Sequence, residues 1–418
     1  MPIPLASSPR PRRSDPAAAR LLACVLLALT CACAPRWHSK LGANSRQVAL
    51  ALGDPAEIPA ERFDPKDVPN FAAPKKLRPC CAFGQDLKAR VGPVPVPFFE
   101  QANVFGPDDL GPHGYDKGTL TREHNGLVYT CRGGFIDIAH VRDNADRTIF
   151  LTMQIVRALP GGATIEFPEE GTLRRVILRP VPAALLARRG RWTIAAAIAS
   201  WANLQLSTWH EVVTWYGWQS IKGIDERLSA FSPEDIYSNA LGINLAAGII
   251  HNRETGSREQ YEQSMTSWLA EALRRLGAVP KAQARLAMTA VDGLWWDSSK
   301  RVPDWDLVTR RDLRITSPIA PWLVADAVPD SAALARMCDG QPGPLKLVID
   351  DQLGEAALAE LATVELEFKD WLPKRFPVPA DKGQVVTQAD FPAILADVRR
   401  EGEAQLGPHF DQPGPSAD

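Results

Sequence analysis

The stretch that decides the fold runs from Glu123 to Arg147 and reads EHNGLVYTCRGGFIDIAHVRDNADR. Its segment Leu127–Thr130 has high β-propensity, which predicts a short strand. The pair Gly133-Gly134 then predicts a turn that leads into a helix. No other segment of the chain places so many acidic, basic and imidazole side chains so close together. We therefore expect the functional site to be built around this strand, turn and helix.

The helix is predicted from about Phe135 to Leu159. At about 100° per residue its apolar side chains fall within one sector, which indicates an amphipathic helix packed on a core. A polar stripe follows the edge of that sector, at Asp137, His140, Asn144 and Thr148. Arg142 points into the apolar sector, where a buried arginine needs a carboxylate or carbonyl partner.

A second helix, predicted from about Trp192 to Tyr216, is apolar on most of its faces and is therefore expected to be central. It includes most of the segment WHEVVTWYGW, Trp209–Trp218. Its polar side chains collect on one side, at Asn203, Ser207, His210, Glu211 and Thr214. We expect this side to face the polar stripe of the first helix.

Shorter elements surround the two helices. A β-hairpin is predicted at Thr164–Phe167 and Thr172–Arg179, around the turn Glu169-Glu170-Gly171. The segment Ser232-Pro233-Glu234-Asp235 predicts a helix start, with Ser as N-cap, Pro at the first position and capping acids in the first turn. The other predicted elements are helices at 259–276, 281–296, 355–362 and 391–402, and strands at 345–349 and 364–368.

These elements predict an α+β fold with a predominantly helical body, a small β-hairpin and a smaller C-terminal α/β elaboration. The expected segments are a signal peptide at 1–33, an extended tether at 34–78, a mainly helical core domain at 79–314, a smaller α/β module at 315–405 and a disordered tail at 406–418. The tether prediction rests on frequent Pro, Asp and Ala with little periodicity.

Composition narrows the class of protein. With 418 residues the chain can form one large domain or two ordinary ones. Its hydrophobic fraction of 45% and charged fraction of 23% are typical of a soluble globular protein. Because the net charge is -2, the chain lacks the basic surplus of nucleic-acid-binding proteins, and we expect no nucleic-acid partner.

The first 33 residues are typical of a bacterial secretory signal. Basic residues precede the short apolar run Leu21–Leu29, at Arg10, Arg12, Arg13 and Arg20. An apolar run this short cannot span a bilayer. A cysteine that follows such a run is the residue a lipoprotein signal peptidase modifies, and Cys33 is the predicted site of lipid attachment. Cys31 is an alternative acceptor, and cleavage after Ala34 would instead release a soluble periplasmic protein.

Four cysteines remain after the signal: Cys80, Cys81, Cys131 and Cys338. In an oxidising periplasm they allow two disulfides, whose pairing the sequence cannot determine. A bond between the adjacent Cys80 and Cys81 would be strained, so we expect one of these two to pair with Cys131.

A metal site is the first hypothesis for the chemistry. Asp137 and His140 lie three residues apart on the first helix, so their side chains share a face and could bind one divalent cation. On the second helix, His210 and Glu211 point about 100° apart and reach one ion only if it lies between them. Two such pairs predict a Zn, Mn or Fe site, without the H-E-x-x-H motif of metalloproteases. The structural alternative is a paired Asp137 and His140 with His210 as a core histidine.

A metal-free acid–base site is a second hypothesis. A histidine beside carboxylates in a tryptophan-lined cleft is a candidate general base. Desolvation by Leu204, Trp215 and Trp218 would raise the pKa of Glu211, as suits a general acid. A helix cap or a salt-bridge carboxylate is the structural alternative for Glu211.

Two further hypotheses concern the turn before the first helix. Cys131 could act as a thiolate nucleophile with His140 or His210, whereas an oxidising compartment favours a disulfide. Arg132 and Arg142, with the glycine amides of the turn, could hold a phosphate or carboxylate. Of these two, Arg142 is the predicted anion clamp of the site.

Three blocks of this sequence resemble an uncharacterised family of bacterial envelope lipoproteins, domain of unknown function 4056. They are RPCCAFG (Arg78–Gly84), NGLVYTCRGGFIDIAHVRD (Asn125–Asp143) and WHEVVTWYG (Trp209–Gly217). The resemblance covers about Arg78 to Arg314. The resemblance implies an address in the cell envelope, and it implies that the two helices belong to one structural unit. It assigns no role to any residue.

The sequence as a whole predicts a lipoprotein anchored through Cys33 to the periplasmic face of the outer membrane. The expected function is that of a hydrolase-like enzyme with a site at Asp137, His140, His210 and Glu211, in which activated water attacks an ester, amide or phosphoester of an envelope component. The rival hypothesis is a non-catalytic envelope factor that binds lipid, glycan or a protein partner and whose polar cluster only fixes helix packing.

Overall fold

The computed structural model describes residues 45–53, 68–78, 82–96, 103–116, 123–220, 225–368, 376–377 and 385–414. Within these residues eleven α-helices and four small separate sheets make an α+β fold with a helical body, so the predicted fold class is confirmed. The predicted signal peptide and its lipid attachment site, Cys33, lie outside the described residues.

The secondary structure has these bounds. The helices are α1 (Ser45–Gly53), α2 (Ile138–Ala158), α3 (Ala183–Arg189), α4 (Arg191–Trp215), α5 (Asp235–His251), α6 (Arg258–Arg275), α7 (Lys281–Ala290), α8 (Val324–Ala327), α9 (Ala332–Met337), α10 (Leu358–Leu361) and α11 (Phe391–Leu406). The strands are β1 (Arg90–Val91), β2 (Val94–Pro95), β3 (Leu127–Thr130), β4 (Gly134–Asp137), β5 (Ala163–Glu170), β6 (Thr172–Leu178), β7 (Gln352–Leu353), β8 (Ala356–Ala357), β9 (Ala362–Glu367) and β10 (Val385–Thr387).

Three buried helices, α2, α4 and α5, pack against one another and fill the larger hydrophobic core. The helices predicted at 135–159 and 192–216 are confirmed as α2 and α4, with slightly different ends. Gly242 of α5 lies so close to α2 that a Cβ there would be 2.2 Å from the carbonyl oxygen of Val141. This close approach holds the first turn of α2, which carries His140, against α5.

A short hairpin sets the start of α2. Strands β3 and β4 pair antiparallel around a turn at Gly134, whose φ is +67°. A Cβ there would be 2.1 Å from the carbonyl oxygen of Trp322, so only glycine fits. Asp137 then caps α2, and its carboxylate accepts from two first-turn N–H groups, one of them that of His140 at 3.2 Å. Residues 135–137, predicted as helical, are therefore strand and cap.

A four-stranded antiparallel sheet in the order β10-β9-β6-β5 packs beside the helices. It contains the predicted hairpin, which is confirmed as β5 and β6. Strand β9 pairs with β6, so the segment after residue 314 shares a sheet with the helical body. The strand predicted at 345–349 is not formed, and Leu347 makes only a single bridge with Ile319.

Two predicted irregular segments differ from the sequence expectation. Part of the predicted tether, 34–78, forms α1, whose Val48 and Leu52 are buried against α5 and α6. The part of the predicted tail that the structure describes packs on the body. Phe410 is buried there, and its carbonyl oxygen accepts from the backbone N–H of Arg311 at 2.7 Å. The first segment packs through Val48 and Leu52, which lie four residues apart on one helix face, and the second packs through the isolated Phe410.

The disulfide joins Cys131 to Cys338, with 5.4 Å between their Cα atoms. The prediction that Cys131 pairs with Cys80 or Cys81 is therefore wrong, and those two residues lie outside the described part of the chain. The partners are 207 residues apart, and the sequence holds no local signal that brings them together. A disulfide-bonded sulfur has no thiolate, so Cys131 is not the nucleophile of a thiol–imidazole pair.

No helix among the described residues combines the length and the apolar character that a membrane span requires.

Candidate metal centre

Three ligand-bearing side chains meet where α2 and α4 face each other. His140 of α2 and His210 and Glu211 of α4 each offer one ligand atom, and these atoms lie within 4.8 Å of one another. The two imidazole rings are 6.0 Å apart and nearly perpendicular. The structure thus brings together three of the five predicted site residues.

Asp235, at the start of α5, lies behind His140. Its Oδ1 atom is 3.2 Å from Nδ1 of the imidazole, and both atoms are buried without a well-formed hydrogen bond to any described residue. Burial lowers the pKa of His140 to about 4, although Glu211 raises it. The ring is therefore neutral at neutral pH, which is the form that binds a metal, and Nε2 remains for a ligand.

Glu170, at the end of β5, lies behind His210. One of its oxygens pairs with Nδ1 of His210 and the other pairs with Arg174. Burial alone would lower the pKa of His210, but Glu170 raises it above its ordinary value. Burial alone would raise the pKa of Glu170, but Arg174 and His210 hold it well below its usual range. The His210 side chain is 16% exposed, so solvent reaches the cluster from its side.

Glu211 has one paired oxygen and one unpaired oxygen. Its Oε2 atom accepts from the backbone N–H of Phe231 at 2.9 Å. Its Oε1 atom is buried and has no hydrogen-bond partner in the part of the chain that the structure describes. Because an unpaired buried acceptor costs about 1–3 kcal/mol, this oxygen would be stabilised by a bound ion or water.

Two acids at the start of α5 are buried beside the cluster. Burial raises the pKa of Glu234 and Asp235 well above the ordinary range, and the charge of Glu211 raises both further. Arg311 is also buried nearby, where burial lowers its pKa to about 10. Its guanidinium donates to backbone carbonyls instead of to these acids. Both carboxyl groups therefore hold a proton more readily than ordinary carboxyl groups do.

Hydrogen bonds from asparagine side chains connect the helices that carry the cluster. Asn144 Nδ2 donates to the backbone carbonyl of His140 at 2.9 Å and to Asn239 of α5 at 2.5 Å. Asn203 of α4 donates to the carbonyl of Asn144 at 2.8 Å and to Thr148 at 2.9 Å. The polar stripe of α2 thus meets the polar side of α4, as the sequence predicts.

The structure does not bring Asp137 into the cluster. Its carboxylate accepts from first-turn N–H groups of α2, and its own N–H donates to Ser238 Oγ at 2.9 Å. The ligand atoms that lie within 4.8 Å of one another do not include it. Asp137 therefore positions the turn that carries His140, and it differs from the prediction of a shared metal ligand.

Arg142 also lies away from the cluster. It follows His140 by two residues, about 200° around the helix. Its Nη1 atom donates to Asn125 Oδ1 at 2.9 Å, and its Nη2 atom donates to the carbonyl of Leu110 at 2.9 Å. Arg142 has the carbonyl partners that the sequence predicted for it. Because both of its terminal nitrogens donate to these loop residues, Arg142 is not placed to act as the predicted anion clamp.

No site role for Glu170 or Arg147 follows from the sequence, which predicts Asp235 mainly as a capping acid. The helix that Asp235 begins has few polar residues, which indicates that its first turn is buried too. Arg147 follows His140 by seven residues, a spacing that places both on one helix face. No local signal marks Glu170, because its contact with His210 depends on how the hairpin docks.

The donor set suits a divalent transition metal. Two imidazole nitrogens and one carboxylate are a set that zinc and iron bind with further positions left open. Ligand atoms around one tetrahedral zinc ion lie about 3.4 Å apart, so shifts of about 1 Å would close the observed 4.8 Å spacing. Each histidine also has an acid at its other nitrogen, which orients imidazole ligands in metal sites.

Comparison with known proteins identifies the family. Residues 68–325 match a family described as a protein of unknown function, DUF4056, and this match covers more than half of the chain and both cluster helices. No curated protein and no solved structure matches the chain. The resemblance to this domain of unknown function, expected for about Arg78 to Arg314, is thus confirmed with wider ends. The chain belongs to the DUF4056 family.

Proposed function

We propose that this protein is a divalent-metal-dependent hydrolase of the bacterial cell envelope, with His140, His210 and Glu211 as the ligands of the ion. One observation carries the proposal: the three ligand atoms converge within 4.8 Å, while the other nitrogen of each histidine faces a buried carboxyl group. Because Nδ1 of each histidine faces an acid, Nε2 is the nitrogen left to bind the ion.

A bound ion explains the unpaired atoms better than a metal-free site does. Without an ion, Glu211 Oε1 is a buried acceptor that no described residue satisfies. His140 is neutral and so cannot pair with it as a cation. A divalent ion between the ligand atoms would satisfy Glu211 and both imidazoles together.

We assign zinc as the ion, because two histidines and one glutamate are a common ligand set of hydrolytic zinc sites. When bound, zinc acts as a Lewis acid and lowers the pKa of its water to about 7, which supplies a nucleophile for an ester, amide or phosphoester. The protein's own part is to hold the ligands and to leave an approach from the side of His210. Manganese or iron would be an alternative outcome of the metal analysis.

Elemental analysis of the purified full chain tests the proposal. We expect about one zinc ion per chain in the wild type, and loss of the ion in H140A, H210A and E211Q. His124 is a matched control, since it is exposed and its ring hydrogen-bonds the carbonyl of Asp109, away from the cluster, so H124A should keep the ion. Equal metal content in all four variants would overturn the assignment.

The proposed hydrolase activity is tested by a separate measurement. Zinc-loaded wild type is assayed against a panel of chromogenic esters, amides and phosphoesters, and E211Q serves as the isosteric comparison. We expect hydrolysis of one class and its loss in E211Q, because that variant keeps the shape of the site but removes a ligand charge. A folded, zinc-loaded wild type that is inactive on every class would favour the non-catalytic factor, in which the polar cluster only fixes helix packing.

The envelope address is also a proposal. It rests on the basic and apolar pattern before Cys33 and on the resemblance to envelope lipoproteins. The Cys131–Cys338 disulfide supports it, because disulfides persist in oxidising compartments such as the periplasm. Metabolic labelling with a fatty acid should mark the wild type but not C33A. Labelling that survives in C33A and is lost in C31A would move the anchor to Cys31, and no labelling at all would favour cleavage after Ala34.

A further inference from the structure

Arg147 lies on the same face of α2 as His140. Seven residues separate them, which is two helical turns less about 20°, or about 10 Å along the axis. Side chains of a helix lean towards its N-terminus, so the long side chain of Arg147 extends back along α2 towards the cluster.

Arg147 differs from the other buried arginines among the described residues. Arg78, Arg142, Arg174 and Arg311 all donate to carboxylates or carbonyls. Arg147 is only 6% exposed, and its side chain makes no hydrogen bond or ion pair with any residue that the structure describes. Its nitrogens are not among the fully buried polar atoms that lack a partner, so the edge of the guanidinium touches solvent and is accessible to a small anion.

The guanidinium faces the cluster. Burial and nearer charges have the largest effects on the pKa values of His140, His210 and Glu170. The charge of Arg147 lowers all three pKa values. Burial raises the pKa of Asp143, and the charge of Arg147 lowers it. Asp143 is hydrogen-bonded to Arg78, and Glu170 is paired with His210 and Arg174, so neither acid hydrogen-bonds Arg147. A divalent ion at the three ligands would add two positive charges beside Glu170 and Glu211.

We propose that Arg147 binds an oxyanion of the substrate, a phosphate or a carboxylate, next to the metal, so that the enzyme acts on anionic substrates. The inference rests on the proposed metal site. The planar fork of arginine matches both groups through two parallel hydrogen bonds, and burial strengthens the pairing because water competes less. Arg147 thus takes the role that the sequence suggested for Arg142.

Calorimetric titration of the zinc-loaded full chain tests this proposal. Inorganic phosphate and acetate are titrated separately, and the anion that binds more tightly identifies the class of oxyanion. We expect R147M to bind that anion about ten- to hundredfold more weakly, the loss typical of one charge-assisted pair. R147K should keep part of the affinity, because it retains the charge without the fork.

Arg157 supplies the matched control. It lies on the same helix, ten residues beyond Arg147, and its guanidinium donates to the carbonyl oxygens of Val68 and Pro69, away from the cluster. R157M removes the same charge and should bind the anion as the wild type does. Zinc content is measured in every sample. If R147M keeps its zinc and its anion affinity, the anion site is overturned while the metal site stands.

Two other results would overturn the inference. One is a zinc-loaded wild type that binds neither phosphate nor acetate. The other is loss of zinc in R147M, which would make Arg147 a support of the metal site. If the wild type itself holds no zinc, the proposed function fails first, and the titration is then repeated on the metal-free protein, where binding lost in R147M would still assign the oxyanion to Arg147.

Discussion

Two buried polar clusters lie along the same helix, α2, and they differ in how far their polar atoms are paired. We call the first the closed cluster; its members are Arg78, His113, Glu123, Asp143, Asp146 and Tyr261. We call the second the open cluster; its members are His140, Arg147, Glu170, His210, Glu211 and Asp235. Both contain histidine, arginine and carboxylates in the interior, so composition alone does not separate them.

The closed cluster satisfies nearly all of its polar atoms. Asp146 accepts from Arg78 at 3.0 Å, His113 at 2.9 Å and Tyr261 at 2.8 Å. Arg78 also donates to Glu123 at 2.8 Å and to Asp143 at 2.6 Å. Of its side-chain atoms, only His113 Nδ1 lacks a hydrogen bond, and it lies 3.6 Å from Glu123. This network of hydrogen bonds and ion pairs connects the segments around residues 78 and 113 to α2.

The open cluster leaves atoms unpaired on several residues. Glu211 Oε1 is buried without a hydrogen-bond partner in the described part of the chain. His140 Nδ1 and Asp235 Oδ1 face each other at 3.2 Å without a well-formed hydrogen bond, and the side chain of Arg147 makes no hydrogen bond with a described residue. A histidine among acids is therefore structural where the surrounding polar atoms all have hydrogen-bond partners. Where some of these atoms lack a partner, a bound ligand is indicated.

The largest expected effect is on the closed cluster. R78M removes the cation that pairs with Glu123, Asp143 and Asp146, so we expect the free energy of unfolding to fall by about 3–5 kcal/mol. Urea unfolding measures this loss. R285M is the control, because Arg285 forms a partly exposed pair with Asp86 that is worth at most about 1 kcal/mol. Equal losses in the two variants would contradict the structural role of the closed cluster.

The next effect separates the clusters by their response to metal. Zinc at one hundred times its dissociation constant should raise the free energy of unfolding of the wild type by about 2.7 kcal/mol. E211Q should show no such rise, since it lacks one ligand. D146N should respond as the wild type does, although it starts from lower stability, because Asp146 belongs to the closed cluster. A rise of the same size in E211Q would place zinc elsewhere.

Acid should weaken the closed cluster. Burial alone would raise the pKa of Asp146, but the charges of His113 and Arg78 lower it to about 2. A folded-state pKa below the unfolded value of about 3.9 means that this stability is full above pH 4 and is lost as the pH falls towards 2. The loss is roughly 2 kcal/mol for this carboxyl.

Urea unfolding of the wild type and of D146N between pH 2 and pH 5 checks this value. D146N lacks the titrating group, so its stability should change less over that range, by roughly the same 2 kcal/mol. Parallel curves for the two proteins would show that the acid sensitivity arises from other carboxyl groups.

The central helices could be predicted from the sequence because their patterns are local. Apolar periodicity placed α2 and α4 with small errors at their ends, and facing polar stripes brought His140, His210 and Glu211 together. The error at Asp137 has a local cause as well. The spacing of three residues fits a shared ligand face and a helix cap equally well, and only the backbone of the preceding strand decides between them.

The remaining features depend on contacts between distant segments. Glu170 reaches His210 only after the hairpin docks on α4, and Cys131 reaches Cys338 across 207 residues. The sequence could not show which arginine of this helix is available to bind an oxyanion. Arg142 donates to carbonyl oxygens on the neighbouring loop, whereas the side chain of Arg147 does not, and only the structure reveals this difference.

The smallest expected effect tests Arg147 through stability. Four buried arginines of the described residues donate hydrogen bonds to carboxylates or carbonyls, whereas the side chain of Arg147 donates none, so its replacement should not weaken the fold. We expect R147M to raise the free energy of unfolding of the metal-free protein by on the order of 1 kcal/mol, because methionine fills similar space without an unpaired charge. R174M, which breaks the pair with Glu170, should lower it instead. Urea unfolding in the presence of a chelator measures both, and a loss in R147M as large as that in R174M would mean that Arg147 supports the fold and is not held open for a ligand.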